Sequence, residues 1–334
     1  MGLSPTTATV LFPFAAVVSL SASAVLVSRL ESLASRWGLS EAMLGFVVAL
    51  AADSPEITSA MTASAQGQRT IGTGVVLGSN VFNLAALLGL SALVARRITL
   101  HRKVVLLDGT AAAWVAVVSL VTVSTGLAAV VALVLILVVV VPYVVVSASS
   151  PATLRRFGVS DRATTWLGKA VEEQQIEVAS ALSHTSKGRH DLAAVGASLA
   201  VVVMASLLME QAAQDLGNYW QLPKLIVGGV ALAAVTSLPN AAGAIFLAAR
   251  GRGPAVLSEA MNSNMLNVVV GLFLPGIFLG VGGVADGGLL VAAWYAGLTI
   301  VSLTLAFAGR GLGRSAGLAI LGCYAVFVLL ASTY

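Results

Sequence analysis

Two carboxylates, Asp53 and Glu56, stand three residues apart in the otherwise apolar stretch GFVVALAADSPEITSAMTAS, with Pro55 between them. On a helix that spacing puts both on one face, with Ala49 one turn earlier. Proline has no N–H and disturbs the turn before it, so backbone carbonyls about four residues earlier are expected to turn into the same space as oxygen ligands. Ser79 and Asn83 lie four apart further along. A later stretch offers Thr236, Ser237, Pro239 and Asn240, then Ser263 and Asn267, again four apart. Carboxylate, amide, hydroxyl and carbonyl oxygens, without sulfur or imidazole, are the surroundings that hard cations such as Ca2+ and Na+ require. His101, His184 and His190 fall in or beside loops, so an imidazole metal site within the apolar stretches is not expected.

The elements that carry these residues belong in lipid. Of 334 residues 58% are hydrophobic and only 10% charged, with a mean hydropathy of +0.97, which leaves too little polar surface to coat a soluble globule. The apolar runs are long enough to cross a hydrocarbon core of roughly 30 Å as helices of about 20 residues. The chain is therefore read as an all-α polytopic membrane protein with ten transmembrane helices. They lie near 7–30, 38–67, 71–95, 103–124, 126–149, 190–211, 223–249, 254–281, 287–309 and 312–332. Away from the few residues at their ends, the acidic groups within these spans are Asp53, Glu56, Asp108 and Glu259, and no span offers a central Lys or Arg to pair with them. A cation is the natural partner for a carboxylate there. Asp108 follows Arg102 and Lys103 closely enough to pair with them at the interface. Glu259, one turn before Ser263, either lines an ion access path or is simply wetted.

The basic residues are sorted by side. Arg29, Arg36, Arg96, Arg97, Arg102, Lys103, Arg155, Arg156, Arg162, Lys169, Lys187, Arg189, Arg250, Arg252, Arg310 and Arg314 fall on one face, and only Arg69 and Lys224 on the other. The positive-inside rule makes the first face cytoplasmic and puts both termini outside, in the cell (plasma or inner) membrane. This also explains a pI near 9.5 without nucleic acid. Ser21-Ala22-Ser23-Ala24 looks like a cleavage site, but removing the first span would invert every later loop. Cys323, the one cysteine, can form no internal disulfide and is read as packing.

The chain divides into a first five-helix repeat (1–150), a charged cytoplasmic linker (151–189) and a second, inverted five-helix repeat (190–334). An offset of 184 aligns Gly45 with Gly229, Ala49 with Ala233, Pro55 with Pro239, Gly67 with Gly251, Ser79 with Ser263, Asn80 with Asn264 and Asn83 with Asn267. A proline followed 24 residues later by Ser-Asn-x-x-Asn in both halves is a repeat rather than coincidence. Five spans per half is an odd number, so the second copy enters the membrane from the opposite side, and transporters built so bind substrate between the repeats near the midplane.

These doubled motifs resemble the cation/calcium antiporter family that includes the sodium/calcium exchangers. Asp53-Ser54-Pro55-Glu56 with Gly78-Ser79-Asn80-Val81-Phe82-Asn83 is similar to its first motif. Thr236-Ser237-Leu238-Pro239-Asn240 with Asn262-Ser263-Asn264-Met265-Leu266-Asn267 is similar to its second. The resemblance implies a secondary antiporter that exchanges Ca2+ for Na+ or H+ by alternating access at one central site, the first and sixth spans sliding across the rest. By matching positions it implies side-chain ligands at Glu56, Ser79, Asn83, Thr236, Ser237, Ser263 and Asn267 and backbone ligands at Ala49 and Ala233. Asp53 and Asn240 join that set as the two departures. Asn240 stands where the family usually has an acid, and Asp53 where it usually has a small hydroxyl residue, so both acids come from one helix.

The same scaffold is compatible with another cargo, Mg2+, a different divalent cation or Na+/H+ exchange. An intramembrane protease would need a second catalytic aspartate motif or a histidine base within the spans, and the sequence has neither, so no enzyme is expected. A channel is disfavoured by kinked helices in internal repeats. No cofactor is expected. The partners are inorganic cations and the lipid bilayer, and the sequence assigns no oligomeric state.

Overall fold

The structure is a computed structural model that describes residues 3–36, 49–149, 151–156, 160, 164–165, 191–282 and 287–333. His184, His190, Gly45 and most of the expected linker lie outside the described residues. Helix α1 spans Pro5–Arg36. Residues 49–52 are helical and lead across a break at Asp53 into α2, Ser54–Ala65. Then come α3 (Arg69–Val94), β1 (Arg97–Thr99), α4 (Arg102–Thr125), α5 (Ala129–Ala148) and the short α6 (Pro151–Arg156). The later part holds α7 (Asp191–Tyr219), α8 (Lys224–Thr236), α9 (Leu238–Ala249), α10 (Gly253–Leu279), α11 (Gly288–Gly309), β2 (Gly311–Gly313) and α12 (Arg314–Ala331). Eight of these are long and apolar enough to cross a membrane, and the pair α8 and α9, bent by 47°, makes a ninth such unit. The remaining expected span, 38–67, has its first part outside the described residues.

Element boundaries recur at the offset read from the sequence. α3 starts at Arg69 and α10 at Gly253, and the left-handed turns at Gly67 (φ 81) and Gly251 (φ 78) end α2 and α9 alike. Both α2 and α9 carry proline in the first turn, where its missing N–H costs no helical bond. The residues before them, Asp53 (φ −79, ψ −4) and Ser237 (φ −84, ψ 0), share one conformation. Immediately beyond Asn83, and starting at Asn267, each helix widens into a π-helical segment, Leu84–Leu90 and Asn267–Phe273. Such segments leave the normal i to i−4 ladder and concentrate at functional sites.

The core is held by close backbone approach. A Cβ on Gly78 would lie 2.2 Å from the carbonyl oxygen of Gly229, so α3 and α8 touch through glycine, the usual means of tight helix contact in lipid. Gly317 of α12 meets the Gly89 carbonyl of α3 in the same way, at 2.6 Å. α1 and α7 run against each other, with Ala8, Ala212 and Leu216 forming a small cluster of their own. One feature departs from an all-helical expectation: β1 and β2 pair antiparallel, Arg97 opposite Gly313 and Thr99 opposite Gly311. Gly311 (φ 131) is required there, because a Cβ would sit 2.1 Å from the Ile98 carbonyl oxygen.

Candidate functional site

The breaks before α2 and α9 face the start of the π segments of α3 and α10, and the polar residues meet at that crossing. Asp53 and Glu56 are both 0% exposed. Asp53 Oδ1 accepts the Asn240 amide at 2.6 Å and the Ser263 hydroxyl at 2.7 Å. Glu56 Oε1 accepts the Ser237 hydroxyl, and its Oε2 accepts the Asn267 amide at 3.2 Å. Each acid of the first half is thus held by donors of the second. Asn240 also donates to Ser263 Oγ at 3.2 Å, as does Asn83.

The crossing itself is fixed by Asn80 and Asn264. Asn80 donates to the Asn264 backbone carbonyl at 3.0 Å, and Asn264 returns a bond to the Asn80 carbonyl at 3.2 Å. Asn83 donates to Asn264 Oδ1 at 3.1 Å, and its counterpart Asn267 donates to Asn80 Oδ1 at 3.3 Å. Reciprocal bonds between residues 184 apart are what a local two-fold relation between the halves produces.

Once these bonds are made, three central acceptors have no donor: Asp53 Oδ2, Asn83 Oδ1 and Asn267 Oδ1 are all buried and without a hydrogen-bond partner. Buried acceptors are normally satisfied. Two carboxylates, one with an orphan oxygen, and the orphan amide oxygens of Asn83 and Asn267 form a set of acceptors that a cation could complete. Among the described residues no three His, Cys, Asp or Glu side chains cluster, so most oxygens at this place are neutral.

The remaining expected residues sit at the edge of this set. Ser79 Oγ donates to the Ala233 carbonyl at 3.5 Å, and Thr236 Oγ1 donates to Leu232 at 2.9 Å and to Ala233 at 3.2 Å. The carbonyls of Ala49 and Ala233 also accept backbone N–H groups, from Asp53 at 2.8 Å and Ser237 at 3.2 Å. The carbonyl that Pro55 leaves without its helical partner is that of Ala51. It does not face an open space: Ser54 and Ser23 donate to it at 2.7 and 3.3 Å.

Glu259 lies beside α9, its Oε1 3.0 Å from where a Gly243 Cβ would be, and its Oε2 is buried without a partner. It is within electrostatic reach of Asp53. Asp108 corrects an expectation. It is 0% exposed and does not pair with Arg102 or Lys103 at the interface, but accepts the hydroxyls of Tyr143 (3.1 Å) and Ser258 (2.6 Å). Arg102 turns away, donating to the Phe307 carbonyl and lying over the Phe307 ring. Tyr143 was not singled out from the sequence; only its partners across the bundle reveal it. Cys323 is a free, half-buried thiol.

The chain matches the family described as "Sodium/calcium exchanger protein" over residues 7–164 and 190–333. It belongs to that family. A curated relative, inner membrane protein YrbG of Escherichia coli (strain K12), is 25% identical over 253 residues, 75% of this chain and 74% of that one. Sodium/potassium/calcium exchanger 2 of Gallus gallus is 28% identical over 141 residues, 40% of this chain and only 22% of that longer protein. Solved structures share the fold. The sodium-calcium exchanger NCX_Mj superposes with a TM-score of 0.62 at 18% identity over 98% of this chain and 99% of that one. YfkE (0.66, 16% identity, 97% and 92%) and the H+/Ca2+ exchanger CAX (0.66, 12%, 97% and 86%) do likewise. This member of the exchanger family is a membrane antiporter for cations, as the doubled motifs implied.

Proposed function

We propose that the protein exchanges Ca2+ for Na+ or H+ by alternating access at the crossing of the two halves. In this reading ten spans form two inverted five-helix repeats, 1–150 and 190–334, joined by a cytoplasmic linker, with both termini outside the inner or plasma membrane. The observation that carries it is the pair of buried carboxylates, one of them with an oxygen that has no donor, together with two buried amide oxygens that also lack donors. Two carboxylates in a hydrocarbon setting cost several kcal/mol each unless neutralised, and one divalent or two monovalent cations balance them.

The proposed ligands are Asp53, Glu56, Ser79, Asn83, Thr236, Ser237, Asn240, Ser263 and Asn267, with the backbone carbonyls of Ala49 and Ala233. An arriving cation takes lone pairs from Asp53, Asn83 and Asn267, and competes with Ser237 and Ser263 for the carboxylates. Exchange follows because the two cargoes need the same two charges and cannot be present together. Glu259, with its unpartnered oxygen one turn from Ser263, is proposed to line the cytoplasmic access path. A matched family and neighbours named as Na+- and H+-coupled Ca2+ exchangers support this cargo class.

The test is Ca2+ uptake by vesicles containing the purified protein, driven separately by a Na+ gradient and a pH gradient. Uptake under one gradient, abolished by collapsing it, is expected and identifies the coupling ion. Absence of Ca2+ flux under both overturns the proposal.

A further inference from the structure

A third buried carboxylate lies outside the crossing. Glu210 of α7 is 0% exposed; one of its oxygens accepts the Gln214 amide, and Oε2 has no hydrogen-bond partner. It is nine residues before Tyr219, where α7 ends with Tyr219 and Trp220 exposed as an interfacial pair would be. At 1.5 Å per residue that is about 14 Å below the aromatic level, near the middle of a hydrocarbon core of roughly 30 Å. Helix α7 itself carries no Lys or Arg.

Packing does not call for an acid there. The residue at the equivalent position of the first half, 184 earlier, is Leu26, which is buried at 2% exposure. The scaffold accommodates leucine in one copy and keeps a carboxylate in the other.

Polar residues link Glu210 to both the surface and the crossing. Ser206, Glu210 and Gln214 follow one another at four-residue spacing and so share a stripe of α7. Gln214 reaches the exposed Gln66 at the end of α2, 3.5 Å away. At the other end of the stripe Ser206 lies 3.5 Å from Ser19 of α1. One turn along α1, Ser23 donates to the Ala51 carbonyl, which Ser54, the neighbour of Asp53, also approaches. These side chains line a polar seam between the α1 and α7 pair and α2, from Gln66 at the surface to the residues beside the carboxylate pair, with Glu210 and Ser206 related by their place one turn apart on α7.

Resting on the antiporter reading above, we propose that Glu210 is an additional site for one monovalent cation, Na+ or H+, beyond those that compete with Ca2+ at the crossing, reached along this seam. Charge decides the class. Asp53 and Glu56 together match a divalent ion, whereas Glu210 is a single carboxylate with neutral amide and hydroxyl neighbours and matches one positive charge. Charged residues on the elements packed around it are Glu56 on α2, Arg29, Glu31 and Arg36 on α1, Lys224 at the start of α8 and, on α7 itself, Asp191 and Asp215, the Oδ2 of Asp215 accepting the Leu3 N–H at 2.8 Å.

The experiment uses the purified full chain and the substitution Glu210→Leu, which installs the residue of the equivalent position. Two signals are read: the number of Na+ bound at equilibrium, and the carboxylic acid C=O band in the infrared difference spectrum on acidification. The variant is expected to lose either one bound Na+ or one acid band, and which of the two is lost tells Na+ from H+. Its Ca2+ affinity is expected to stay within about threefold, because the two sites share no direct contact. A folded variant that keeps both the Na+ count and the full acid band overturns the proposal. If the leucine variant does not fold, Glu210→Gln is read by the same two signals. Failure of the wild type to bind Ca2+ would sink the parent reading instead, since the Glu210 signals are measured without Ca2+.

Discussion

The turn at Asp53 to Glu56 and the turn at Ser237 to Asn240 occupy equivalent places, share their backbone break and their following proline, and yet carry opposite chemistry. The first supplies negative charge and no side-chain donor to the centre; the second supplies a hydroxyl to Glu56 and an amide to Asp53. The frame of the repeat and the charge of the repeat are therefore separable. Backbone geometry follows the doubled Pro and Ser-Asn-x-x-Asn pattern, whereas the ionisable groups need only sum to the right charge within the same few ångströms. Asymmetry also gives each acid a donor to lean on when no cation is there, which lowers the cost of keeping two carboxylates buried.

The sharpest way to break this comparison is to remove the acids one at a time. Glu56→Gln and Asp53→Asn are each expected to reduce gradient-driven Ca2+ flux by at least about 100-fold, equivalent to about 2.7 kcal/mol. Neither should unfold the protein, because the amide keeps the shape of the carboxylate: in Glu56→Gln the new NH2 group can take the Oε1 place, where the Ser237 hydroxyl turns to accept from it, and in Asp53→Asn it takes the Oδ2 place, which meets no donor. Full transport by both variants would show that the charge at this turn is not what the cargo reads.

Restoring symmetry has a smaller expected effect. Asn240→Asp places a carboxylate where an amide now sits 2.6 Å from Asp53 Oδ1, and two carboxylates that close cannot both be ionised without a cation or proton between them. The variant is expected to melt earlier in cation-free buffer, to recover with Ca2+, and to change its Ca2+ over Na+ preference by about tenfold. Thermal unfolding with and without Ca2+, and competitive uptake, check this. Unchanged selectivity together with unchanged stability would mean that the second turn does not face the cargo.

What the sequence made legible was the frame, because its rarest residues are doubled at one offset and a proline in lipid is hard to miss. Side-chain pairing across the crossing was not, since a motif shows which oxygens are near but not which carries the donor that meets a given acid. Asp108 illustrates the limit: its nearest basic residues in sequence, Arg102 and Lys103, suggested a partner, while Tyr143 and Ser258 reach it only through packing of α4 with α5 and α10. Glu210 falls at the very end of the apolar run legible in the sequence, 190–211, where an acid reads as interfacial, whereas the helix continues to Tyr219 and places it nine residues inside. The ribbon of β1 and β2 left no trace, for three-residue strands with glycine opposite arginine carry no alternating pattern.

The subtlest difference between the halves concerns Asn80 and Asn264, which make mirror-image bonds but sit beside different neighbours. Asn80→Ala and Asn264→Ala each delete one amide-to-carbonyl bond and one accepted amide, so each is expected to cost roughly 1–3 kcal/mol in detergent unfolding, and nearly the same amount. Their effects on flux should differ. Asn80→Ala releases the Asn267 amide, whose other acceptor is Glu56 Oε2, so Asn267 is left tied to the acid alone and its vacant Oδ1 can turn away from the cargo. Asn264→Ala releases the Asn83 amide, which still has the neutral Ser263 Oγ to hold it in place. Flux should therefore fall several-fold more in the first variant than in the second at matched stability loss. Equal flux would mean that the site responds to the frame alone and that the one-sided placement of the acids has no consequence beyond the carboxylates themselves.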